Sequence, residues 1–199
     1  MKTEQLFKVS RLAAISDGVF AIAMTLLVLE LKLPELEQPS SSELFRDALA
    51  GQLPHIISWI ISFAILCRLW ITQHALLRDG DEESRVFTLL NFAFLGGISF
   101  IPFPTSLIGE HAGQPLSVVI FSAVIAFSGL MLALMYFVKK PALGWRNLNP
   151  AARDILIGLP IIGLIACGLA LWSPKAGIAI WCITPFIGFS LKKKSRKKA

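Results

Sequence analysis

Three ionisable side chains sit inside stretches that are otherwise apolar: Asp17, Arg68 and His74. In a bilayer such a group costs roughly 2.5–3.5 kcal/mol on insertion scales, and it normally faces a bundle interior or a watery cavity. It can lock helices together through hydrogen bonds, relay protons, or lie on an ion path. Asp17 follows Ser16, and Arg11 stands six residues before it. Six residues put Arg11 on another helical face, where it can snorkel to the membrane surface. Trp70 and His74 stand at i and i+4 and so share one face, and Asn91 opens the next apolar run. Indole and imidazole N–H groups both donate to a carboxylate. We therefore expect a polar clamp: Ser16 and Asp17 on the first apolar run, held by Trp70, His74 and Asn91. In this reading Asp17 is a buried anchor.

The elements that must position these residues are membrane spans. Of the 199 residues, 55% are hydrophobic, and they come in blocks. The mean hydropathy is +0.68. A spanning helix needs about 20 apolar residues. Six candidates emerge, at roughly 9–31, 53–75, 86–108, 116–138, 155–172 and 176–191. The fold class is thus all-α, a polytopic membrane protein with six transmembrane helices per subunit. The domains are a six-helix unit over 1–191 and a basic tail over 192–199. No loop is long enough to bury a core of its own. The first run ends in "LELKLP" rather than a small-x-small cleavage site, so it reads as an uncleaved span.

Charge gives the orientation. With both termini cytoplasmic, the inner segments carry Lys2, Lys8, Arg11, Arg78, Arg85, Lys139, Lys140, Arg146, Arg153 and the six tail bases. The outer loops carry only Lys32, Arg46 and Lys175. Positive charge stays inside. The net charge of +6 comes largely from the tail "LKKKSRKKA", which points to anionic lipid rather than nucleic acid. The outer loop "ELKLPELEQPSSSELFRD" is acidic and rich in Pro and Ser, and "RDGDEESR" reads as a solvated inner turn. Cys67, Cys167 and Cys182 lie in apolar runs and suggest neither a disulfide framework nor a zinc site. No cofactor is expected.

On the first span, Gly18, Ile22, Thr25 and Leu29 fall on one narrow stripe, with Asp17 nearly opposite Ile22. Such a stripe also suits plain helix packing. Gly18, Ala21 and Ala23 allow close backbone approach. "GGISFIPFPTS" predicts a kink in the third span.

The run "RLAAISDGVFAIAMTLLVLE" resembles the signature of the transmembrane protein 175 family of potassium channels. Ser16, Asp17 and Arg11 match its motif, and Ile15 stands where the family has Phe. "RLWITQHALLR" and "LNFAFLGGISFIPFPTSLIGE" look like its second and third spans. The resemblance implies a homotetramer with span one lining a central pore in a bacterial plasma membrane. It implies a constriction at Ile22, with Thr25 and Leu29 above it. It also implies weak to moderate potassium selectivity without a carbonyl filter loop. Glu30, with Glu35 and Glu37 behind it, would then stand at the outer mouth.

Other classes stay open at this point. A proton-coupled secondary transporter would use Asp17 and His74 as a relay. Against it, no repeat relates spans 1–3 to 4–6, and Asp154 lies at a span end. A membrane enzyme lacks a motif, because His55, His74 and His111 lie far apart. A scaffold would tolerate polar changes on the Ile22 stripe.

Overall fold

The computed structural model describes residues 7–32, 41–78, 82–140 and 154–195; the side chains of 7, 82, 154 and 185–195 lie outside that description. Helix α1 is Val9–Leu26. It buries Leu12, Ser16, Phe20 and Ala23, spaced four, four and three apart, which makes one stripe. The chain then tightens into a 3-10 turn, Leu27–Glu30, with Leu27 extending the buried stripe. Pro34 follows closely in sequence, and a helix ends before proline.

Part of the expected outer loop is itself helical. Helix α2, Ser42–Gly51, starts at Ser41, whose Oγ accepts from the Leu44 N–H at 3.2 Å. No α2 residue is buried. Glu35 and Glu37 lie outside the described residues. Helix α3, Leu53–Leu77, follows with Pro54 in its first turn.

The third span breaks where the sequence predicts. Helix α4, Arg85–Phe100, is capped by Ser84, whose Oγ accepts from Phe87 N–H at 3.2 Å. Ile101 separates it from α5, Pro102–His111. Pro102 has no N–H to continue the ladder. Helix α6 is Pro115–Lys139. A π turn, Asp154–Gly158, leads into α7, Leu159–Trp172, and α8 is Pro174–Ser195.

Among the described residues five segments are long and apolar enough to cross a membrane: Val9–Glu30, Ser42–Leu77, Arg85–His111, Pro115–Lys139 and Ile155–Trp172. The sixth expected span falls in α8, whose 22 residues make a helix of about 33 Å. Its backbone runs on past residue 191 to Ser195, and residues 196–199 lie outside the described part. Among the described residues the all-helical expectation holds, apart from one two-residue antiparallel pairing.

The core is aromatic and tightly spaced. Phe20, Phe87, Phe94, Phe121 and Trp181 are fully buried. Trp181 meets Phe121 edge-on and donates to Ser122 Oγ at 2.9 Å. A Cβ added at Gly163 would sit 2.6 Å from Ala126 Cβ and 2.9 Å from the Ser122 carbonyl. Glycine lets α7 lie directly on α6 there.

One end of the bundle gathers the start of α1, the end of α3, the start of α4 and the end of α6. There Phe7–Lys8 pairs with Glu82–Glu83, with Phe7 opposite Glu83. The solvated-turn reading of "RDGDEESR" is corrected at this point. Glu83 is buried and pairs with the Lys139 ammonium, so part of that turn belongs to the core.

Candidate functional site

Helix α1 has two unlike faces. The stripe Leu12–Ser16–Phe20–Ala23–Leu27 packs inward. The opposite stripe is bare: Gly18 and Thr25 are exposed, Ile22 is 61% exposed and Leu29 is 59% exposed. The subunit thus buries one side of its first helix and leaves the stripe singled out in the sequence uncovered. Glu30 is half-buried at the end of the 3-10 turn.

Thr25 has a particular geometry. Its hydroxyl donates back to the Ala21 carbonyl at 3.0 Å and the Ile22 carbonyl at 2.8 Å. The proton is engaged by the helix, so the oxygen lone pairs remain as acceptors on the bare face.

Behind that face lies a polar layer. Trp70 Nε1 donates to Asp17 Oδ1 at 2.8 Å. Asp17 itself is exposed on the subunit surface. Within the single subunit Ser16, and not Asp17, takes the buried position. On the helical wheel Asp17 lies about 100° from the buried stripe, on its flank.

Ser16 is the inner member of the layer. Its hydroxyl donates to the Leu12 carbonyl at 2.7 Å and accepts from Gln73 Nε2 at 2.7 Å. Gln73 Nε2 also donates to Asn91 Oδ1 at 2.9 Å, and Asn91 Nδ2 reaches Ser16 Oγ at 3.5 Å. Ser16, Gln73 and Asn91 are all buried, so α1, α3 and α4 meet through three neutral side chains. In a low-dielectric interior such bonds are strong, and a broken partner is costly.

Two expected partners therefore act differently. Asn91 bonds to Gln73 and Ser16 rather than to Asp17. His74 stacks on the Trp70 ring, with centroids 5.2 Å apart and 28° between planes. It supports the indole that holds Asp17. Arg11 is exposed in the first turn of α1. Arg68 crosses to the last helix, where Nη1 donates to the Thr184 carbonyl at 2.7 Å.

Sequence reasoning missed Gln73. A search for ionisable residues passes over a neutral amide. The signal was its position three after Trp70 in an apolar run. Among the described residues no group of three or more His, Cys, Asp and Glu is placed to hold a metal ion.

This architecture is that of an all-helical integral membrane protein whose first helix is tethered on one side and bare on the other. A family described as endosomal/lysosomal potassium channel TMEM175 matches residues 11–102. A potassium channel of Chamaesiphon minutus is 33% identical over 143 residues, covering 72% of this chain and 67% of the relative. The chain belongs to the TMEM175 family. A potassium channel of Streptomyces collinus is 30% identical over 126 residues, covering 63% of this chain and 60% of that one. The human endosomal/lysosomal proton channel TMEM175 is 32% identical over 125 residues, and the match covers 59% of this chain and 25% of the human protein. The chain thus spans 60% and 67% of the bacterial relatives and a quarter of the human one. In structure, a lysosomal potassium-selective channel TMEM175 homolog from Chamaesiphon minutus matches with a TM-score of 0.76 at 23% identity, over 96% of this chain and 98% of that one. A variant of the potassium channel MtTMEM175 matches with a TM-score of 0.60 at 17% identity, over 100% and 99% of the two chains. These two likenesses show the fold.

Proposed function

We propose that the protein is a potassium-conducting channel, a homotetramer whose four α1 helices line the pore. The carrying observation is the bare Ile22–Thr25–Leu29 face on a helix held from behind by Trp70 and Gln73. Family membership favours a pore over lipid as what that face meets.

Ile22 forms the constriction in this reading. The sequence has no Thr-Val-Gly-Tyr-Gly run, so no cage of carbonyls strips the ion. A narrow apolar ring makes an ion shed part of its water, and potassium does so more cheaply than sodium. Four Thr25 oxygens, with their protons turned back on the helix, replace some of that water. Dewetting at Ile22 closes the pore. The resulting selectivity is weak to moderate. Trp70 and Gln73 hold α1 in register, with Asp17 and Ser16 as its attachment points.

Glu30 raises cation concentration at the outer mouth. Both termini face the cytoplasm of a bacterial cell, and the basic tail contacts anionic lipid of the plasma membrane. The partners are other copies of the chain, potassium ions and lipid; no cofactor is required.

Ion flux from proteoliposomes tests the proposal. Passive potassium flux above sodium flux, running to potassium equilibrium without a proton gradient, is the expected result. Flux that needs an imposed proton gradient would overturn it and make Asp17 and His74 a transport relay. Because the animal relatives are named proton channels, the same vesicles should be loaded with a pH dye.

A further inference from the structure

We propose that Lys139, at the end of α6, is a positioning residue that sets the inner end of the pore helix through Glu83. The inference rests on the reading of α1 as the pore wall.

Lys139 and Glu83 form an ion pair whose side chains are only 9% and 7% exposed. The ammonium also donates to the Leu76 carbonyl at 2.8 Å and lies 5.4 Å from the centre of the Phe87 ring. One lysine thus engages the last turn of α3, the turn before α4 and the first turn of α4. Leu76 belongs to the negative end of the α3 dipole, which favours a cation. Phe87 offers its ring face to the same charge.

The chain of contacts continues to α1. Glu83 lies in the two-residue strand paired with Phe7–Lys8, and α1 begins at the next residue, Val9. A two-residue ladder is marginal by itself. Here its partner strand is pinned by the Glu83 side chain. Moving Lys139 therefore moves Glu83, the ladder and the first turn of α1 together. A buried pair is weak evidence of net stability, and its best-attested use is to fix register. The register fixed here is that of α6 against the start of the first helix.

The geometry also says which replacements keep the role. Arginine keeps the charge and the donors. A charge swap restores the pair but sets a carboxylate against the Leu76 carbonyl, so it rescues only in part.

The test uses the assembled protein, with potassium flux from proteoliposomes and hydrogen exchange at the amides of Leu12–Ser16, the first in α1 that bond back along the helix. Lys139→Met and Glu83→Gln are expected to assemble, to lower potassium flux per tetramer about five- to tenfold, the size of an ordinary coupling between two states, and to speed exchange at those amides. Lys139→Arg restores both readouts. Wild-type flux and unchanged exchange in both single variants overturn the proposal. Should a single variant fail to fold on its unpaired buried charge, the double variant Glu83→Gln/Lys139→Met, which buries no charge, replaces it, and wild-type flux with unchanged exchange in that double variant overturns the proposal equally. If the wild-type tetramer carries no potassium, the channel reading fails, and the exchange data still decide whether Lys139 positions α1.

Discussion

The indole nitrogen of Trp70 lies 2.8 Å from Oδ1 of Asp17, so a neutral donor on α3 holds a carboxylate on the flank of α1. The carboxylate is exposed on the single subunit, so within it the indole is the donor that compensates its charge, while the ring packs half-buried against His74. Replacing Trp70 by Phe keeps most of the stacking surface and removes the donor. We expect a loss of about 1.5–3 kcal/mol, the ordinary range for a bond to a charged acceptor. Asp17→Asn keeps the acceptor oxygen and should lose less. Thermal melting of the assembled protein followed by size-exclusion chromatography checks both, and a Trp70→Phe protein that melts like wild type refutes the tether.

The neutral layer behind it is more sensitive. Gln73 bonds Ser16 and Asn91 with one nitrogen, and all three side chains are buried. Gln73→Leu leaves the Asn91 side-chain oxygen without its donor but also removes Gln73 Oε1, which is buried without a partner, so it should cost about 1–2 kcal/mol. Asn91→Leu should cost a similar amount. Removing both together leaves less unsatisfied than the sum of the single changes implies. The double variant is thus expected to melt above the additive value, and strict additivity would mean that the two side chains do not act as a pair.

Much of this was legible in the residues, for reasons of period and chemistry. The wheel of α1 separates Ile22, Thr25 and Leu29 from Leu12, Ser16 and Phe20, and the structure leaves the first set bare and buries the second. Pro102 announces the break after Ile101, because a missing N–H is a local fact. Trp70 was found through its shared face with His74. Gln73 and the Lys139–Glu83 pair were not found. A glutamine carries no charge to mark it, and Glu83 stands in a run of acids that reads as solvated. Only the approach of α6 to the α3–α4 turn, 56 residues apart in sequence, shows which of those acids is inside.

Glycine contacts separate packing within the subunit from packing between subunits. At Gly163 an added Cβ would meet Ala126 and the Ser122 carbonyl, and neither can swing away. Gly163→Ala should destabilise the subunit by about 1–3 kcal/mol. At Gly18 nothing lies within 4 Å of an added Cβ. Gly18→Ala should not weaken the subunit itself and should favour its helix by about 0.5–1 kcal/mol, so any loss should fall on the tetramer fraction. Equal damage from both substitutions would place Gly18 inside the subunit core.

The end of α1 carries an electrostatic prediction. Glu30 ends the 3-10 turn one residue beyond Leu29. If four copies ring the mouth, Glu30→Gln should lower potassium conductance about twofold at 10 mM salt and hardly at all at 1 M, because the screening length falls from about 30 Å to 3 Å. Single-channel recording across that range reads it directly. A conductance equal to wild type at low salt would make Glu30 an ordinary surface charge.

Ile22 and Thr25 test the pore itself, and they should fail in different ways. Ile22→Asn replaces an exposed apolar side chain with one that binds water, so a constriction formed by that ring, if Ile22 is where the pore narrows, becomes wet. The subunit should fold as before, since Ile22 buries little surface within it. Potassium and sodium fluxes should both rise, with sodium rising more, because the ions no longer shed water at that ring. Thr25→Val keeps the bulk and removes an oxygen whose proton is already turned toward Ala21 and Ile22. Conduction should persist while the preference for potassium falls about two- to fivefold, a change of roughly 0.4–1 kcal/mol. Reversal potentials in mixed potassium and sodium solutions separate the two effects. If Ile22→Asn leaves both fluxes and the reversal potential at wild-type values, the bare face of α1 looks onto lipid and the ion path lies elsewhere.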